Sequence, residues 1–383
     1  MIFLDHAATS WPKPEPVQEA MLRYMRDVGV TPGRSGHRLA NEAERTRLDA
    51  REAVAELFGA SDPLRVVFTS GGTMALNLVL FGLLARGAHV VTTGIEHNAV
   101  MRPLRALAAR GVTMSVVPWR ADGTLDAAAV AEQLRGETRL VAVNHASNVC
   151  GTVLPVRAIG AITRERGIPL LVDAAQTGGA WPVDMQADNI DLLAFAGHKG
   201  LLGPGGTGGL VLGDDFDVAR LPPLVYGGTG SRSEHEEQPE FLPDKYEAGT
   251  PNMVGLAGLA AGVRYVLERG VAQIRAHEAA LTGQLIAGLR DIPGVRVVGT
   301  QDAQRQTAAV SFTRAGRSCS AVAHTLDEEY RVLCRPGLHC APQAHRTLGT
   351  FPDGTVRLSA GSQTTPAEIA QAISAVAQVA RVE

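Results

Sequence analysis

Lysine is nearly absent. Of 36 Lys and Arg residues in 383, only Lys13, Lys199 and Lys245 carry a primary amine. A coding preference for arginine explains most of that bias. It still leaves only three places for chemistry that needs a side-chain amine. Cysteine is sparse as well: the four, at 150, 319, 334 and 340, are too few and too scattered for a disulfide framework, so the cytoplasm is the expected location. An excess of one charge is also missing, because 36 basic residues against 39 acidic ones leave a formal net charge of −3. That balance argues against a nucleic acid or an anionic membrane as the main partner. No apolar run is long enough to span a bilayer; the longest, Leu76 to Ala85, is interrupted by Asn77 and Gly82. The opening Met1-Ile2-Phe3-Leu4-Asp5 has no basic stretch ahead of an apolar one, so no secretory signal is expected. With 45% hydrophobic and 20% charged residues, the composition is that of a folded chain and not a disordered one.

The length suits two packed domains. Between residues 65 and 215, apolar runs alternate with amphipathic segments. Arg65–Thr69, His89–Thr93, Leu140–Asn144, Ile168–Asp173 and Ile190–Phe195 read as buried strands. Met74–Ala85, Ala99–Arg110 and Val156–Glu165 read as the helices between them. Continuous apolar strands separated by helices call for an α/β fold, a mostly parallel sheet covered on both faces. A long helical stretch follows from Asn252 to Leu289, with a break near Gly270. Short strands at Val295–Val298, Ala308–Phe312 and Thr355–Leu358, with helices at Ser320–Glu329 and Pro366–Arg381, read as a smaller α+β unit. Residues 16–255 are the expected large domain. Residues 256–383, joined by 1–15, are the expected small one.

Chemistry in such a sheet belongs at the carboxyl ends of its strands. There the sequence places Ser70-Gly71-Gly72-Thr73, Glu96-His97-Asn98, His145-Ala146-Ser147-Asn148, Asp173 with Gln176, and His198-Lys199. The first lies between a strand and a helix, where free N–H groups suit an anion such as phosphate. Asp173 ends a buried strand and needs a cationic partner, and Lys199 follows the next strand. A carboxylate for a pyridinium nitrogen, an amine for a Schiff base and a phosphate cup together meet the needs of pyridoxal phosphate. The alternative, a buried Asp–Lys ion pair, accounts for neither the anion turn nor His97. Gly203-Pro204-Gly205-Gly206-Thr207-Gly208 matches a dinucleotide fingerprint in letters only, because it leads into a strand and not a helix. Cys334, His339, Cys340 and His345 interleave without zinc-ligand spacing, so no metal is expected. Cys340 sits among Gly337, His339, Pro342 and Gln343, in an accessible loop beside a histidine, and is a candidate nucleophile.

Eight segments in order carry a resemblance over nearly the whole chain. They are Leu4-Asp5-His6-Ala7-Ala8-Thr9, Gly33-Arg34-Ser35-Gly36-His37, Glu96-His97-Asn98, His145-Ala146-Ser147-Asn148-Val149, Asp173-Ala174-Ala175-Gln176, Gly197-His198-Lys199, Glu247 to Asn252, and Arg335 to Cys340. The chain resembles the class V aminotransferase family of pyridoxal phosphate enzymes, in its cysteine desulfurase and selenocysteine lyase branch. The resemblance implies fold type I of the pyridoxal-phosphate-dependent transferases, the aspartate aminotransferase-like fold. It implies that Lys199 carries the cofactor covalently, Asp173 pairs with the ring nitrogen, Gln176 bonds the ring hydroxyl and His97 stacks on the ring. Gly72, Thr73 and His198 would hold the phosphate, and Thr250 would complete the phosphate site of a second subunit, so a homodimer is implied. Asn148 and Arg357 would hold the substrate carboxylate, with Arg335 and His37 also in the pocket, and Cys340 would accept sulfur. Ala196 departs from the family, whose better-known members usually have a hydroxyl there, and shifts phosphate binding onto Thr73 and Thr250.

The implied reaction converts L-cysteine to L-alanine and leaves a persulfide on Cys340, with His339 or the substrate as proton acceptor for the thiol. The sulfur would pass to an acceptor protein for iron–sulfur or cofactor biosynthesis. L-Selenocysteine is the rival substrate, another class V transaminase or lyase the rival reaction, and a non-enzymatic sulfur relay the rival outside enzymes.

Overall fold

The computed structural model describes residues 1–33 and 36–381, so Arg34 and Ser35 of the second quoted segment lie outside the described residues. Its centre is a seven-stranded sheet in the order Val66–Thr69, Gly208–Leu212, Leu192–Ala196, Leu170–Asp173, Thr138–Asn144, His89–Thr93, Thr113–Val117. Gly208–Leu212 runs antiparallel to both neighbours and the other four pairings are parallel. The expected α/β architecture is therefore present, and the glycine-rich 203–208 segment is the turn of a hairpin. Both faces of the sheet are covered. Val141 and Val143 face Val54, Phe58, Ile159, Leu259 and Val263 on one side. Leu140 and Ala142 face Leu76, Leu80, Val100 and Leu104 on the other. That two-sided burial is why these strands read as unbroken apolar runs.

Among the elements not foreseen, three belong to the large sheet and its main cover. Thr113–Val117 forms a sheet edge whose residues are only alternately buried, so it lacks an apolar run. Glu15–Arg23 and Arg38–Phe58 are helices on the outer face. The second is capped by the His37 side chain and ends at Gly59, whose φ of +71° suits glycine.

A second sheet is antiparallel, in the order Arg335–Gly337, Thr355–Ser359, Ala309–Arg314, Val295–Val298. Its core holds Phe312, Val356 and Leu358 together with Ile2 and Leu4 from the chain start. The division expected at 255–256 falls inside the helix Met253–Arg269, whose Leu256, Leu259 and Val263 pack in the larger core. That helix ends at Gly270, and the next, Val271–Arg290, gives Leu281, Leu285 and Leu289 to the smaller core. Among the described residues no helix is long and apolar enough to cross a membrane.

Candidate active site

The strand ends of the large sheet meet the small sheet around a cavity of about 450 Å³. Gly72, Thr73, His97, Asn148, Asp173, Gln176, His198, Lys199, Arg335 and Arg357 all line it, and so does Ala196. Ten residues named from the sequence are thus brought together from both sheets. Three are not. His37 is exposed and caps the helix Arg38–Phe58, its Nδ1 accepting from the Ala40 N–H at 3.1 Å. Thr250 is exposed and lines a neighbouring cavity of about 340 Å³ with Ser70, Met74 and Gly206. Cys340 is exposed beside the main cavity, held by its carbonyl, which accepts from the Asn98 N–H at 2.8 Å.

At one end, Gly71 adopts φ +149°, a conformation open to glycine, and turns the chain from the strand into the helix Gly72–Leu83. The first N–H groups of that helix have no partner within it and make an anion seat at a positive dipole end. In the middle, Asp173 is buried and its Oδ1 accepts from the Ala175 N–H at 3.0 Å. Lys199 sits on the same wall, and burial lowers its pKa from 10.5 to about 8, with Asp173 acting in the opposite sense. His97 is the cap of the helix Asn98–Ala108. Its Nδ1 accepts from Ala99 N–H at 2.9 Å, which leaves the proton of the neutral ring on Nε2. Burial lowers the His97 pKa as well, against the pull of Asp173. Glu96, in the same motif, does not reach the cavity. It is buried beneath it with the Thr93 hydroxyl donating to its Oε1, and burial raises its pKa to about 8.

At the other end, Arg357 is 1% exposed. Its Nη1 donates to the Asn148 carbonyl at 2.8 Å and its Nη2 to Asp5 Oδ1 at 2.6 Å, while Nε has no partner among the described residues. Asn148 donates to the His339 carbonyl, and its own buried Oδ1 has no partner among the described residues. Asp5 is the residue that sequence reasoning missed as a site member; only its place in the first quoted segment pointed to it.

The sulfur of Cys340 lies 3.8 Å from Arg335 Nη2, so its neighbour is a fixed cation. The proton-acceptor role expected of His339 does not fit the geometry. Its Nε2 pairs with Thr355 Oγ1 at 3.1 Å, and burial with nearby Arg357 pushes its pKa down to about 2. A ring so weakly basic takes no proton from a thiol at neutral pH. Glu247 accepts from Phe68 N–H at 2.6 Å and pairs with buried Arg51, which anchors the loop that carries Thr250.

Comparison with known proteins gives a consistent picture. The family model for aminotransferase class-V matches residues 2–371. A probable cysteine desulfurase of Methanothermobacter thermautotrophicus is 38% identical over 371 residues, covering 96% of this chain and 92% of the relative. One from Pyrococcus abyssi is 34% identical and covers 94% and 89%. Among solved structures, the apo cysteine desulfurase of Thermococcus onnurineus NA1 superposes with a TM-score of 0.93 at 33% identity, covering 99% of this chain and 94% of the other. The cysteine desulfurase CsdA of Escherichia coli gives 0.86 at 28% identity, covering 98% and 94%.

Proposed function

The chain belongs to the aminotransferase class-V family, and from that premise we infer that it is a cysteine desulfurase, converting L-cysteine to L-alanine with the sulfur passed to Cys340. One observation carries the reading: an amine, a buried carboxylate, a helix-start anion seat and a buried arginine line one cavity, with an exposed thiol at its edge.

Pyridoxal phosphate fits these residues. Lys199 offers the amine, Asp173 an acceptor for a protonated ring nitrogen, and Gly72 with Thr73 the turn for the phosphate, to which Ala196 adds no hydroxyl. His198 lies beside that turn, and burial lowers its pKa to about 4, so it serves as a neutral donor or acceptor there. Gln176 already donates to the Ala7 carbonyl at 3.0 Å, and its free oxygen is left for the ring hydroxyl. When bound, the cofactor supplies an aldehyde for amines and a ring that takes up the electron pair released at Cα.

The chain's own residues do the rest. Arg357 receives the substrate carboxylate in a charge-assisted contact, and Asn148 is beside it. Lys199 Nζ takes the Cα proton and later returns it. Arg335 Nη2 faces Cys340 Sγ at 3.8 Å; Sγ attacks the substrate sulfur, a new S–S bond forms, and the Cβ–S bond breaks with its electron pair left on carbon. Protons then go to carbon, and the sum is cysteine plus thiol giving alanine plus persulfide, with no external oxidant or reductant. Thr250 and the exposed Leu224, Val225 and Tyr226 belong to a homodimer interface in this reading, with Thr250 of each chain at the other's phosphate site. The persulfide goes to an acceptor protein, and the enzyme works in the cytoplasm.

The test is to load the protein with pyridoxal phosphate, add L-cysteine with a reductant, and assay alanine and sulfide. Equal amounts are expected; visible colour without alanine would move the substrate elsewhere. A pH dependence follows from Lys199. Only its neutral amine would be competent to join the cofactor's aldehyde, and burial lowers its pKa to about 8. Cofactor uptake by the cofactor-free protein, followed by absorbance, is therefore expected to accelerate about tenfold per unit as pH rises toward 8 and then level off. A flat profile between pH 6 and 9 would remove that assignment.

A further inference from the structure

We propose that the segment from Asp5 to Lys13 is a strap that positions both reacting ends of the site: Asp5 orients Arg357 for the substrate carboxylate, and Lys13, with Thr9 and Ser10, orients the peptide that carries Lys199. The substrate in this statement rests on the desulfurase reading.

Four donors converge on one carbonyl oxygen, that of His198, directly before Lys199. They are Ser10 N–H at 3.0 Å, Thr9 Oγ1 at 3.1 Å, Ser10 Oγ at 3.2 Å and Lys13 Nζ at 3.0 Å. A carbonyl has two lone pairs and one or two donors satisfy it. A half-buried ammonium among four donors is far more than satisfaction requires, and it is one of only three lysines in the chain. Eight residues earlier, Asp5 takes the Nη2 of Arg357, whose side chain lines the cavity. Removing one nitrogen from play limits how the guanidinium can turn, which fixes the edge presented to a carboxylate. Between these two contacts the strap is tied to both sheets. Ala7 N–H donates to Ser359 Oγ at 2.9 Å, on the strand that carries Arg357. The Ala7 carbonyl accepts from Gln176, just past the strand that ends at Asp173. A segment that served folding alone would be held by backbone pairing such as that of Asp5 with Ser359, without a carboxylate on one reacting group and an ammonium beside the other.

The test compares Asp5→Asn, which keeps the side-chain shape, with Lys13→Met and Lys13→Arg in the cofactor-loaded enzyme. It reads KM and kcat for L-cysteine, and the affinity for L-alanine by calorimetry, which involves no sulfur chemistry. Asp5→Asn is expected to raise KM about tenfold and weaken alanine binding by the same factor, with kcat within about twofold. Lys13→Met is expected to lower kcat about tenfold with KM and alanine affinity within about twofold, and Lys13→Arg to recover most of it. Parallel loss of both parameters in both variants, or no change in either, would overturn the strap. If the wild type released no alanine from cysteine, the function reading would fall, and alanine affinity alone would decide: unchanged in Asp5→Asn, it overturns the strap.

Discussion

Lys199→Ala is expected to fold, to bind pyridoxal phosphate without a covalent link, and to turn over cysteine about 10³-fold more slowly or worse, the scale of losing a positioned acid–base group. The magnitude rests on how little can replace that amine. The chain has two other lysines, and both are committed elsewhere. Lys245 is buried against Glu240 and the Val218 carbonyl, and Lys13 is held at the His198 carbonyl. Borohydride reduction followed by mass spectrometry checks the claim directly: the wild-type chain gains the cofactor's mass and the variant does not. Mass gain in Lys199→Ala, or turnover within tenfold of wild type, would place the chemistry on another residue.

How far the sequence revealed this site depends on where each residue gets its partners. Lys199 and Asp173 were legible because each follows a buried apolar strand, where a charged group stands out and needs a reason. Gly71 was legible through the turn it must make. Asp5 was not, because its contact with Arg357 joins positions 352 apart and no local pattern announces it. Glu96 and His97 are adjacent and of similar polarity, yet one lies beneath the cavity and the other lines it. Neighbours at a turn leave in different directions, and only coordinates separate them. His339 shows the same limit in its chemistry: proximity to Cys340 suggested a base, and burial took that basicity away. His37 and Thr250 came from the resemblance and not from any pattern in the chain. Both are exposed and neither lines this chain's cavity, so no strand-end pattern could have led to them.

Cys340→Ala separates the surviving readings. The side chain is exposed, its backbone is held by the Asn98 N–H, and buried Ala341 and Ala344 anchor the loop after it, so removing the sulfur leaves the loop in place. The variant is expected to keep the wild-type visible spectrum and to bind L-cysteine, while sulfide and alanine release fall by about 10² to 10⁴-fold. Tryptic mass spectrometry after brief exposure to L-cysteine without reductant is expected to find one extra sulfur on the Cys340 peptide of the wild type. The same variant addresses the rival substrate. Selenium leaves carbon more readily than sulfur and needs no thiol to take it, so a selenocysteine lyase would keep its rate with L-selenocysteine when Cys340 is gone. Loss with cysteine alongside retention with selenocysteine would therefore leave Cys340 as the sulfur acceptor and reopen which amino acid the pocket serves. Unchanged sulfide release in Cys340→Ala would dismiss the persulfide, because Cys334, the cysteine nearest in sequence, has its thiol pKa pushed up to about 12 by burial and is no substitute nucleophile.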